Sequence, residues 1–169
     1  VVAHIAFGEP ICAEFQAQAI DAAKKVDVKT HIGGAYVCIE GPQFSTRAES
    51  NVFRSWGVTV IGMTNLPEAR LAREAEISYA TMALATDYDC WHEGHDDVTV
   101  ENVIATLKLN VANAKSVIRE LVLAHDPNKA RQSPAKDALN HAVMTAPDAI
   151  PAEAKERLGL FLNKYWKKD

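Results

Sequence analysis

Cysteine is scarce in this 169-residue chain: Cys12, Cys38 and Cys90 are an odd number at wide, unpatterned spacing. A disulfide framework needs an even count, and a zinc site needs close pairs, so neither is expected. Free thiols of this kind fit a reducing cytoplasm. Long apolar runs are missing too; nothing approaches the ~18 residues that a membrane span requires. The start, Val1-Val2-Ala3-His4, has neither the basic region nor the apolar stretch of a signal peptide. Positive charge is not in excess, because 18 Lys and Arg face 22 Asp and Glu for a net charge of −4. That balance argues against a nucleic-acid module, which carries a basic face to meet phosphates. Repeats and low-complexity tracts are absent, and by composition disorder, collagen and coiled coil are all poor matches.

What is present is ordinary for a folded protein: 48% hydrophobic and 24% charged residues, with mean hydropathy −0.12. The length favours one domain, 1–169, large enough to fold without disulfides. Residues 10–26 carry Ile11, Phe15, Ala19, Ile20 and Ala23 at helical spacing behind Pro10. Residues 29–39 are rich in β-branched and aromatic types around Gly33-Gly34, which predicts strands with a bend. Thr46 and Glu49 have the spacing of a capping box, and Gly57 stops the short helix they open. VTVI (58–61) reads as a buried strand, and Pro67 as the first turn of another short helix. The apolar run 78–86 is expected to be a strand. A long helix is predicted over 99–121, capped by Thr99, then a polar loop over 125–137, and a last helix over 151–165. Alternating strands and helices mean an α/β fold with a sheet at least partly parallel, whose sites lie beyond strand ends.

Two strand ends stand out. Gly62-Met63-Thr64-Asn65 offers small residues and a hydroxyl to an anion, although an ordinary connecting loop has the same look. Asp87 and Asp89, at i and i+2 after the 78–86 run, can share one face and drive their pKa values apart. A solvated acidic loop is the alternative, and Tyr88 and Trp91 beside them count against it. Metal binding is not expected: Cys90, His92, Glu93, His95, Asp96 and Asp97 are ligand types without a recognised spacing. Gly33-Gly34 lacks the GxxxxGK[ST] context of a phosphate loop, and no nucleophile elbow is visible.

Three longer segments are more specific: EGPQFSTRAES (40–50), VIGMTNLPEA (60–69) and ATDYDCW (85–91). In order and in interval they closely resemble the 5'-methylthioadenosine phosphorylases, a branch of the purine nucleoside phosphorylase family. The resemblance runs from about His4 to the end of the 99–121 helix. It implies a three-layer α/β fold, a twisted mixed β-sheet flanked by helices, and phosphorolysis of 5'-methylthioadenosine to adenine and 5-methylthioribose 1-phosphate. Phosphate is then a co-substrate, with no metal or organic cofactor. By match to the family's motifs, Asp87 is the proton donor facing N7 of the purine, and Asp89 helps bind the base. Phe44 packs on the base, Met63 lines the ribose and Thr64 contacts phosphate. Ser45, Val100 and Val103 lie where the 5' substituent is selected, and His4 is a residue that reaches a neighbouring subunit of a homotrimer.

Gly62 departs from the pattern, since asparagine often stands there. The family's N-terminal portion, with a glycine-rich phosphate loop and an Arg-His pair, has no match in 1–169. The chain is therefore expected to be the C-terminal part of a single domain, partnered by that missing part and inactive without it. Nucleoside hydrolysis on the same fold and a non-catalytic nucleoside-binding or assembly module are the competing functions. No nucleic acid and no membrane are expected among the partners.

Overall fold

The computed structural model describes residues 1–92, 100–126 and 132–166. Its elements are α1 (Ala13–Lys25), β1 (Ala35–Cys38), α2 (Arg47–Ser55), β2 (Val58–Gly62), α3 (Asn65–Glu74), α4 (Val100–Leu123) and α5 (Ala152–Trp166), with a 3-10 turn at Pro147–Ala149 before the last. The described residues divide into two compact units. One holds residues 1–15, 67–80 and those from 132 on; the other holds 16–66, 81–92 and 100–126.

The first unit is organised around α5. Leu139, Ala142 and Leu162 form its buried cluster, with Ile5, Val143, Leu158, Tyr165 and Trp166 packed on it. The chain start joins through an isolated antiparallel bridge, Ala3 to Val143, and His4 N–H donates to the Ala142 carbonyl at 2.9 Å. Arg73 is buried, and its guanidinium donates to the carbonyls of Ala6 and Glu9. A buried cation is tolerable only when its donors are satisfied in this way.

Glu76, just past α3, has φ +57. A left-handed conformation costs a non-glycine residue roughly 1–2 kcal/mol, so tertiary contacts must hold it. They do. Its carboxylate accepts from Leu139 N–H and the Tyr165 hydroxyl, and it pairs with Lys164. Burial pushes the Glu76 carboxyl up, but the Lys164, Tyr165 and Leu139 hydrogen bonds together outweigh it and hold the pKa below the ordinary 4.5. The Glu76 hydrogen bond in turn raises the Lys164 ammonium above its ordinary range.

In the second unit, Ala22, Ala23 and Val117 pack together, with Val26 and Leu121 against them. β1 and β2 pair in parallel, Ala35 with Val58, Tyr36 with Val60, Val37 with Ile61 and Cys38 with Gly62, with an irregularity after Ala35. α2 opens on the expected capping box: the Thr46 hydroxyl accepts from Glu49 N–H, and the Glu49 side chain accepts from Thr46 N–H at 2.7 Å. The Thr46 N–H bond, then the Thr46 hydroxyl, lowers the Glu49 pKa.

Two expectations need correction. The strand predicted within 29–39 is confined to Ala35–Cys38. The 78–86 run belongs to no strand among the described residues. A strand requires a laddered neighbour as well as an apolar sequence, and this run lacks one there. Its side chains are also largely exposed from Met82 to Ala85. The predicted cap Thr99 lies outside the described residues, as do Glu93, His95, Asp96 and Asp97.

Candidate active site

Parallel strands release their following loops on the same side, so the ends of β1 and β2 set residues 39–46 and 63–64 next to each other. Ile39 N–H extends the ladder by donating to the Gly62 carbonyl at 2.9 Å. Met63 crosses toward the first loop, and its sulfur lies 2.7 Å from where a Cβ on Gly41 would stand. A third segment, 81–92, is tied in at both ends. The Thr81 hydroxyl donates to Asn65 Oδ1 at 2.7 Å, and Asn110 of α4 donates to the Ala85 carbonyl at 2.7 Å. Beyond these anchors, Cys90 Sγ lies 3.6 Å from the Ser45 carbonyl, and the Arg54 guanidinium sits 3.7 Å over the Trp91 ring. Tyr88 stacks on His92 with centroids 4.5 Å apart, and Trp91 meets both edge-on. The candidate residues Phe44, Ser45, Met63, Thr64, Asp87 and Asp89 therefore lie in one unit, and the 40–50 segment meets both of the others, at Met63 and at Cys90.

Within that arrangement the proposed site residues differ in how far they are covered. Phe44 is 84% exposed, a large aromatic left open to solvent. Thr64 and Asp87 are exposed, whereas Met63, Asp89 and Val103 are half-buried. Asp87 Oδ1 accepts from the Thr86 hydroxyl at 2.7 Å. Asp89 Oδ1 accepts from Cys90 N–H at 2.9 Å, while its Oδ2 is buried without a partner, and so is Ser45 Oγ. Leaving a buried acceptor unmatched costs roughly 1–3 kcal/mol. Buried polar atoms are paired as a rule, so these two are open hydrogen-bonding positions in the loop cluster. Val100 opens α4 and Val103 follows one turn later. His4 is not in this unit; it lies exposed in the first one.

Residues 2–123 match the family model described as the phosphorylase superfamily. The chain belongs to that superfamily. The S-methyl-5'-thioadenosine phosphorylase of Geobacter sulfurreducens is 58% identical over 165 residues, covering 98% of this chain and 57% of the relative. That of Synechocystis sp. is 57% identical over 98% of this chain and 52% of its own length. A crystal structure of methylthioadenosine phosphorylase from an antarctic soil metagenomic library superposes with a TM-score of 0.87 at 44% identity, covering 95% of this chain and 57% of that one. The chain thus has the α/β fold of a nucleoside phosphorylase and spans a little over half the length of the relatives it matches.

Sequence reasoning did not find the contacts that hold the superfamily's motif segments together. Arg54, Asn110, Thr81 and Tyr36 each act across 16 or more residues of chain, and no local spacing announces such a partner. Only Gly62 carried a hint, as a glycine closing an otherwise β-branched run.

Proposed function

We propose that this chain is the C-terminal portion of a single nucleoside phosphorylase domain that splits 5'-methylthioadenosine with phosphate, giving adenine and 5-methylthioribose 1-phosphate. The observation that carries this is the junction of three motif segments at the ends of β1 and β2, with Asp89 Oδ2 and Ser45 Oγ buried and unmatched beside an exposed Phe44. Curated relatives named for this activity, more than half identical over nearly the whole chain, support it.

Cleavage of the C1'–N9 bond leaves a ribosyl group with cationic character and a purine carrying the bonding electrons. Asp87 is the general acid, passing a proton to N7 as the base leaves so that charge does not build on the ring. Asp89 accepts from the 6-amino group, which a carboxylate oxygen suits and a 6-oxo purine does not. Phe44 packs on the base face. Met63 lines the ribose, and Thr64 donates to phosphate on the face opposite the leaving base. Ser45, Val100 and Val103 wall the 5' pocket, joined by His4 from a neighbouring subunit of a homotrimer. Phosphate is the sole co-substrate, no cofactor takes part, and the enzyme works in the cytoplasm. Among the described residues no helix is long and apolar enough to cross a membrane.

The remaining phosphate ligands come from the N-terminal part of the enzyme, so the 169 residues alone are expected to be inactive and to regain activity when that part is supplied. Adenine release from 5'-methylthioadenosine by the full-length protein, with and without phosphate, tests the reaction class. Release that depends on phosphate supports phosphorolysis. Release at an equal rate without phosphate makes the enzyme a hydrolase, and binding without turnover makes it a binding module.

A further inference from the structure

β1 and β2 exchange side chains as well as ladder hydrogen bonds. Tyr36 is level with Val60 in the parallel register. Its hydroxyl nevertheless lies over Gly62, two residues closer to the carboxyl end. A Cβ at position 62 would stand 1.7 Å from the hydroxyl oxygen and 2.6 Å from the ring carbon that bears it. The phenol therefore leans along the strands toward Met63 and Thr64. Met63 makes the reverse contact, its sulfur occupying the space a Cβ on Gly41 would need.

Each glycine thus surrenders its side-chain volume to a residue of the other strand's segment. Gly41 has φ +74, so backbone conformation and space both call for glycine there. Gly62 has no such φ; space alone requires it. Met63 is consequently fixed from two directions, by the phenol seated on its neighbour Gly62 and by the Gly41 turn under its sulfur. Thr64, the next residue, inherits that fixed course.

We propose that Tyr36 is a positioning residue for the Met63–Thr64 turn, acting through Gly62, and that glycine at 62 is required to seat it. The proposal rests on Thr64 being the phosphate contact and Met63 the ribose contact.

Tyr36→Phe in the full-length enzyme removes only the atom in closest contact. Hydrogen–deuterium exchange at the Met63 and Thr64 amides is expected to speed up. KM for phosphate is expected to rise roughly ten-fold, a fraction of the 10²-fold that a 1 Å misplacement can cost, with a smaller change in kcat and little change in the unfolding midpoint. A role in stability alone would move the midpoint and leave KM where it was. Gly62→Ala is expected to raise KM further and lower the midpoint. Adding Tyr36→Leu, which clears the space, restores the midpoint but not KM, because the phenol is gone. Unchanged exchange at 63–64 with unchanged KM in Tyr36→Phe overturns the proposal. A wild-type enzyme that ignores phosphate overturns the phosphorolysis reading instead, and the exchange comparison still decides the role of Tyr36.

Discussion

Glu76 and Asp89 are both half-buried carboxylates, one in each unit, and the protein treats them in opposite ways. Glu76 is surrounded: Leu139 N–H, the Tyr165 hydroxyl and Lys164 all serve it. On Asp89 one oxygen accepts from Cys90 N–H, and the other is buried and unmatched. A carboxylate whose partners are all protein groups is a structural tie, and it holds Glu76 in a conformation that it would not adopt alone. A carboxylate left half-served keeps binding capacity for something that arrives later. Arg73 follows Glu76, spending its guanidinium on two carbonyls, whereas Ser45 follows Asp89. The contrast separates a carboxylate that ties the fold together from one that keeps an open acceptor.

The largest expected effect is at Asp87. Asp87→Asn keeps the shape and loses the proton, so kcat should fall about 10²–10⁴-fold with substrate binding nearly unchanged. Steady-state kinetics and calorimetry on 5'-methylthioadenosine together check this, and near-normal turnover would remove Asp87 from the reaction.

Glu76 should behave in the opposite manner, losing stability and not activity. Its pKa is lowered by folding, so its contribution is present above the ordinary value of 4.5 and is lost as pH falls through the folded value. Glu76→Gln should lower the unfolding midpoint near neutral pH, by about 2–4 °C for each 1 kcal/mol lost. The gap from wild type should close in acid. KM values that shift with it would break the division between the two kinds of carboxylate.

A smaller effect is expected at the 5' pocket. Val103→Thr adds a hydroxyl to an apolar wall and should cut the preference for 5'-methylthioadenosine over adenosine by up to roughly ten-fold. An unchanged ratio would make Val103 core and nothing more. Smallest is Arg54→Ala, which removes the cation–π contact to Trp91. At about 0.5–1 kcal/mol for such a contact, KM for the nucleoside should rise a few-fold, and Trp91 fluorescence should report the freed ring.

Much of the second unit was legible in the sequence because its signals are local. The Thr46–Glu49 capping box, the VTVI strand and the α4 helix each depend on residues a few positions apart, and all three elements are found where they were expected, although Ile104, Leu107, Val111 and Ile118 of α4 are exposed and VTVI is only half-buried. Residues 78–86 were misread because a strand is a relation between segments, and composition reports only one of them. For the candidate site, the motif words point to Phe44, Ser45, Met63, Thr64, Asp87 and Asp89, and the structure places these six residues in one unit. The supports were invisible. Tyr36 under Gly62, Arg54 over Trp91 and Asn110 on Ala85 are tertiary contacts without periodicity. Glu76 was missed for the same reason, since its partners come from positions 139, 164 and 165.

The central claim is that the half-served carboxylate of Asp89 reads a 6-aminopurine. It is tested most directly by initial rates of the full-length enzyme, with phosphate, on 5'-methylthioadenosine and on its 6-oxo counterpart. The acceptor oxygen of Asp89 matches the amine and leaves a 6-oxo group facing a like partner, so kcat/KM should favour the amino compound by at least roughly 10²-fold. Equal rates, or a preference for the 6-oxo purine, would contradict it.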